Sequence, residues 1–158
     1  MDYRINFNEP IPQMIQRLNH EHINFESTFK RIEKSINENA IKEAIKVIHD
    51  ISESIIKHAV EEEARLMRII MHDAKEESAD SIKIMQEHNW IVDFLKHKLQ
   101  NIEGEINQQK HSQQLQLQLQ EKVKKEINEF VTNLRNHFSE EEQIVFPLAL
   151  KADKLSKL

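Results

Sequence analysis

The chain has 158 residues, with 22 Lys and Arg against 27 Asp and Glu, one Gly, three Pro and no Cys. So few turn formers exclude a sheet protein built from many hairpins, and the absence of Cys excludes disulfides, thiol nucleophiles and thiolate metal sites, leaving nitrogen and oxygen as the metal donors. A formal charge of −5 with both signs interspersed argues against a nucleic-acid partner, and the length suits one domain. The opening MDYRINFNEPIP is neither basic nor apolar enough for a secretory leader, and no apolar run could span a bilayer. The expectation is a cytoplasmic protein with no membrane partner.

Residues 1–11 read as an arm over one end of the fold. A first helix starts near Pro12, where the missing proline N–H costs nothing, and ends at about Ile36, before Asn37-Glu38-Asn39. A second runs from about Ala40 to His72. Ser78 or Asp80 is placed to cap a third, which Gly104 is expected to end. The alternation Gln-Leu-Gln-Leu-Gln around 114–120 could be a strand, but a lone strand has no partner, so this stretch reads as a loop and the start of a fourth helix capped by Ser112. That helix continues to about Leu150, with Pro147 kinking it or opening its last turn, and 151–158 form a tail. Four amphipathic helices with short links bury their stripes as an all-α, up-down-up-down four-helix bundle over 12–150.

Each stripe is interrupted by a histidine. Helix one has Ile15, Leu18, Phe25, Phe29, Ile32 and Ile36 around His22. Helix two has Ile41, Ala44, Ile48, Ile51, Ile55 and Ile69 around His58 and Glu62. Helix three has Ile84, Ile91, Leu95 and Ile102 around His88, and helix four has Val123, Ile127, Phe130, Leu134, Ile144 and Leu148 around His137 and Glu141. At about 100° per residue, Glu62 and Glu141 lie near their stripe centres while Glu61 and Glu140 do not.

A single stripe histidine is ordinarily a hydrogen-bonded core residue. Four of them with two carboxylates are different, because an unpaired buried carboxylate costs several kcal/mol. Protonated imidazoles could compensate but would repel each other, so a bound metal pair is the cheaper solution. Of the nine histidines, His20 falls on the opposite face from His22, and His49, His72, His97 and His111 lie off the stripes or at element ends. Met67, Met71 and Met85 read as core filler, and Trp90 as a packing residue near an edge.

The chain also repeats itself. Glu21-His22-x-x-Phe25-x-x-x-Phe29 matches Glu87-His88-x-x-Ile91-x-x-x-Leu95, and His58-x-x-x-Glu62-Glu63-x-x-Leu66-Met67 matches His137-x-x-x-Glu141-Glu142-x-x-Val145-Phe146. This match favours His22 over His20, and two paired hairpins would bring equivalent His/His/Glu sets together. The surplus acids Glu61, Glu63, Glu140 and Glu142 read as solvated surface or as acceptors for ligand N–H groups.

These motifs, closing on Val145-Phe146-Pro147, resemble the hemerythrin-like, or HHE cation-binding, family over about residues 12–150. The resemblance implies a di-iron centre: His22 and His58 on one iron, His88 and His137 on the other, Glu62 and Glu141 bridging, and an oxo or hydroxo group between the two iron ions. It implies a small ligand such as O2, NO or peroxide, bound in carriage, sensing or redox defence, by a binding protein rather than a dedicated enzyme. Oxygen carriers of this family have a further His one turn after the helix-three ligand, where this chain has Val92. The remaining set is similar to that of proteins that repair iron–sulfur centres, although no Cys-bearing segment accompanies it here. Iron donation or repair, with an iron–sulfur protein as partner, is therefore an alternative expectation, and a metal-free structural bundle is another. Glu26, one turn after His22, could join the site or be a surface acid.

Overall fold

The computed structural model describes residues 3–108 and 113–158, with only the backbone at 77 and 78. The described residues are almost wholly helical and contain no strand. Among the described residues seven α-helices, three of them continued through a π-helical turn, make four rods. The first rod is α1 (Ile11–Asn37). The second is α2 (Ile41–Glu61), a π turn at Glu62–Met67 and α3 (Arg68–Asp73). The third is α4 (Ser78–Asp93), a π turn at Phe94–Lys98 and α5 (Leu99–Asn107); the fourth is α6 (Gln113–Glu140), a π turn at Glu141–Val145 and α7 (Phe146–Ser156). The rods pack as a four-helix bundle, with α1 against α2, α6 and α7, and α4 against α3 and α6. No helix among the described residues is long and apolar enough to cross a membrane.

Local chemistry sets the ends. Pro12 sits in the first turn of α1. At its other end Asn39 takes φ 60°, the left-handed conformation that Asn tolerates, and the N–H groups of Asn39 and Ala40 donate to the carbonyls of Ile36 and Ser35 at 3.1 and 2.8 Å. The break expected at 37–39 is thus a Schellman cap. Residues 3–10 are not helical; Arg65 donates to the carbonyls of Asn6 and Glu9 at 3.2 and 2.5 Å, and Tyr3 donates to Glu53.

Several sequence expectations are corrected. Gly104 does not end its helix; α5 continues to Asn107, and Gly104 has no positive φ. Asp80 lies in the first turn of α4, not at its cap, where a carboxylate still favours the helix dipole. The Ser78 side chain and Ser112 lie outside the described residues. The Gln/Leu stretch from Gln113 onward is helical, and the last helix runs past Leu150 to Ser156 because Ala149 and Ala152 remain buried. Pro147 opens α7 directly after a π turn rather than interrupting α-helix.

The apolar side chains fall into two clusters. One is built on Leu18, Leu66, Ile84 and Val145, the other on Phe25, Ile56, Ile91 and Phe138, so every rod crosses from one cluster to the other. The stripes follow expectation up to the π turns, with Ile51 only partly buried; beyond the turns they slip by one residue in the second and fourth rods, while in the third Ile102 is buried as expected. Ile70 is fully buried where Ile69 was expected, and Val145 and Ala149 are buried where Ile144 and Leu148 were expected. A π turn accommodates one extra residue, which rotates everything after it by about 100°. Met67 is core and Met85 partly buried, but Met71 is exposed; half-exposed Trp90 packs its ring near Phe94 and Phe130.

Because a Cβ on Gly104 would meet nothing within 4 Å, Gly104→Ala should stabilise the fold by about 0.5–1 kcal/mol through helix propensity alone. Urea denaturation followed by circular dichroism measures it.

Candidate metal centre

Between the two apolar clusters each rod contributes polar side chains to one point. His22 comes from α1, His58 from α2 with Glu62 opening the following π turn, His88 from α4, and His137 from α6 with Glu141 opening the last π turn. All six are buried, and Glu62 and Glu141 are 0% exposed. The structure thus brings together all six residues singled out in the sequence. They form two groups, His22, His58, Glu62 and Glu141, and Glu62, His88, His137 and Glu141, within each of which the donor atoms lie within 4.8 Å of one another.

Both carboxylates belong to both groups, and each turns one oxygen to either side. Glu141 Oε1 lies 3.0 Å from His22 Nε2 and 3.5 Å from His58 Nε2, while its Oε2 lies 3.3 Å from His88 Nε2 and 3.2 Å from His137 Nε2. Glu62 Oε2 is 3.4 Å from His58 Nε2 and its Oε1 is 3.2 Å from His88 Nε2. The π turns start at these two glutamates, so the helix widens where its ligand-bearing turn must reach the bundle axis.

The other ring nitrogen of each histidine faces a carboxylate from a neighbouring rod. His58 Nδ1–H donates to Glu21 at 2.9 Å, His88 Nδ1–H to Glu63 at 3.2 Å and His22 Nδ1–H to Glu142 at 3.2 Å; His137 Nδ1 lies 3.5 Å from Glu87. Each rod therefore offers an acid to the histidine of the next, and the last offers one to the first. A carboxylate at Nδ1 holds the tautomer whose Nε2 lone pair points inward. Glu63 and Glu142 fulfil the acceptor role expected of them. Glu61 pairs with Arg17, and Glu140 with Lys83 at 2.7 Å. The roles of Glu21 and Glu87 were missed, although each immediately precedes a repeated histidine.

The arrangement fits a pair of cations bound through N and O. Both Glu62 oxygens are buried with no hydrogen-bond partner, and the Nε2 atoms of His22 and His58 face one another at 3.0 Å. Buried carboxylates without a donor and lone pairs aimed at each other are costly unless positive charge lies between them. Without metal, protons serve instead. Burial pushes His58 and His88 down, but the surrounding glutamates outweigh it and hold both well above the usual histidine range. The same opposition leaves His137 raised to about 9. Burial pushes Glu141 up, yet contacts with Glu62 and the facing imidazoles hold it well below the usual carboxylate range.

Aromatic rings pack against one side of the site. Phe138 stacks on His22 with centroids 4.3 Å apart and meets the edge of His58 at 5.5 Å, and Phe25 meets His58 at 5.6 Å. Glu26 is turned away, paired with Arg135 at 2.9 Å, and Val92 is half-buried. His20, His49, His72 and His97 are exposed, and His111 lies outside the described residues.

A model of the hemerythrin HHE cation binding domain matches residues 81–157. Over these residues the chain is similar to the hemerythrin HHE cation-binding family. The matched stretch holds His88, His137 and Glu141, and the internal repeat supplies the same motifs in the first half through His22, His58 and Glu62. No curated protein and no solved structure matches the chain.

A histidine pKa raised on folding stabilises the protein fully below its unfolded value and progressively less as pH rises through the folded one. The metal-stripped protein should therefore lose thermal stability from pH 6.5 to about 9. Metal uptake in that window should release protons, since the ligands bind deprotonated. Melting curves across pH and a pH-indicator titration with metal check the two outcomes.

Proposed function

We propose that this chain is a hemerythrin-like di-iron protein that binds or reacts with a small ligand such as O2, NO or peroxide. In this reading His22 and His58 hold one iron, His88 and His137 the other, and Glu62 and Glu141 are shared by both. What carries it is the pair of buried His/His/Glu/Glu groups with both carboxylates in common. The family match supports cation binding, and the donor set of imidazole and carboxylate suits iron among several divalent ions. The same reading takes the bundle as up-down-up-down, supported by the alternate order in which successive rods cross the two apolar clusters.

When bound, an iron pair supplies redox-active Lewis acidity toward a small diatomic or peroxide. The chain's own part is separable. The four imidazoles present Nε2, with Glu21, Glu63, Glu87 and Glu142 orienting their far sides. Phe25, Phe138 and Phe146 pack their rings against the His22 and His58 side.

Purified protein should contain about two iron atoms per chain, one for each group, with a visible spectrum that changes on adding O2 or NO. Metal-free protein of undiminished helicity that takes up no iron would overturn the proposal. His58→Ala and His137→Ala should each weaken iron binding by more than about 10-fold, the smaller loss known for an outer partner alone, while circular dichroism stays helical.

A further inference from the structure

The two halves of the site repeat each other in sequence, but the charges outside them do not. Arg17 lies five residues before His22, and at the same place before His88 the chain has Lys83. Arg17 forks between helices: Nη1 donates to Glu21 Oε2 at 2.7 Å, Nη2 to Glu61, and Nε and Nη2 to Glu9 at 3.1 and 2.9 Å. The second oxygen of Glu21 accepts from His58 Nδ1–H at 2.9 Å. Both oxygens of that carboxylate are thereby fixed. In the other half Lys83 directs its ammonium to Glu140, the counterpart of Glu61, at 2.7 Å, and makes no ion pair with Glu87 among the described residues. Glu87 Oε1 then stands 3.5 Å from His137 Nδ1, and neither atom makes a hydrogen bond. The repeat supplies its own control: with a planar fork at 17 the acceptor is seated on its histidine, and with a single ammonium at 83 it is not.

We propose that Arg17 is a positioning residue, fixing Glu21 and through it the His58 ring, so that the half of the site built on His22 and His58 takes up a divalent cation first and more tightly than the half built on His88 and His137. This rests on the reading that the six residues hold two ions. A ring already oriented loses less freedom when it binds, and outer partners of metal-bound histidines are worth about 10- to 100-fold in affinity.

The test uses the full metal-stripped chain titrated anaerobically with Co2+, read by calorimetry and by the cobalt absorption spectrum. The wild type should show two steps at least about 10-fold apart, the tighter one removed by His58→Ala and the weaker by His137→Ala. Arg17→Gln should weaken the tighter step by about 10-fold or more and leave the other in place. Arg17→Lys, which keeps the charge but copies the other half, should behave like Arg17→Gln. Glu9→Gln, which loosens Arg17 from the N-terminal segment only, should change neither step. Independently of metal, the wild type should show an exchange-protected Nδ1–H signal for His58 and none for His137 in proton–nitrogen NMR, so the proposal stays open to refutation even if a position-17 variant fails to fold. Equal steps in the wild type, an unchanged tighter step in Arg17→Gln, an equal loss in Glu9→Gln, or equal Nδ1–H protection at the two histidines would each overturn it. Wild-type protein that takes up no Co2+ would remove the di-iron reading as well.

Discussion

Two fully buried carboxylates are the constraint around which this bundle is arranged. Glu62 and Glu141 sit where two apolar clusters would otherwise fuse into one core, and nothing hydrophobic compensates them. Replaced by leucine, they would leave an unexceptional helical protein. As glutamate, they require positive charge at the axis, and the four imidazoles converge there with their Nε2 atoms inward. The acids behind the imidazoles follow from the same need, because a neutral ring offers a lone pair at Nε2 only when its proton is held at Nδ1. Local helix geometry yields as well: the second and fourth rods leave the α-helical path at Glu62 and Glu141.

Stripes at helical spacing in the sequence led directly to His22, His58, Glu62, His88, His137 and Glu141, because each interrupts an apolar series that is otherwise unbroken. The π turns were not legible by the same route. Projecting at a constant 100° per residue carries the buried face to Ile69, Ile144 and Leu148, while the widened helix carries it to Ile70, Val145 and Ala149. A trace of the slip was present: His58, Glu62, Leu66, Ile70 and Ala74 advance in steps of four, as do His137, Glu141, Val145 and Ala149. An α-helix drifts by about 40° at each such step, so a long run of them implies a wider turn somewhere within it.

Propensity misled at Gly104, where burial of Ile102 and contacts with α6 keep a weak helix former helical. The outer acids were only half legible. Glu63 and Glu142 could be guessed from their place beside the inward glutamates, but Glu21 and Glu87 act on the histidine of another rod, and adjacency along the chain says nothing of that. The asymmetry between Arg17 and Lys83 is plain in the sequence and acquires meaning only once their different partners are known.

Each group of donors draws on both halves of the chain: His22, His58 and Glu62 with Glu141 in one, His88, His137 and Glu141 with Glu62 in the other. Neither half owns a complete set. An ion in either group would staple the N-terminal hairpin to the C-terminal one, much as a cross-link joins distant segments. A backbone severed between α3 and α4 would then leave two fragments that stay associated while loaded and part company under a chelator.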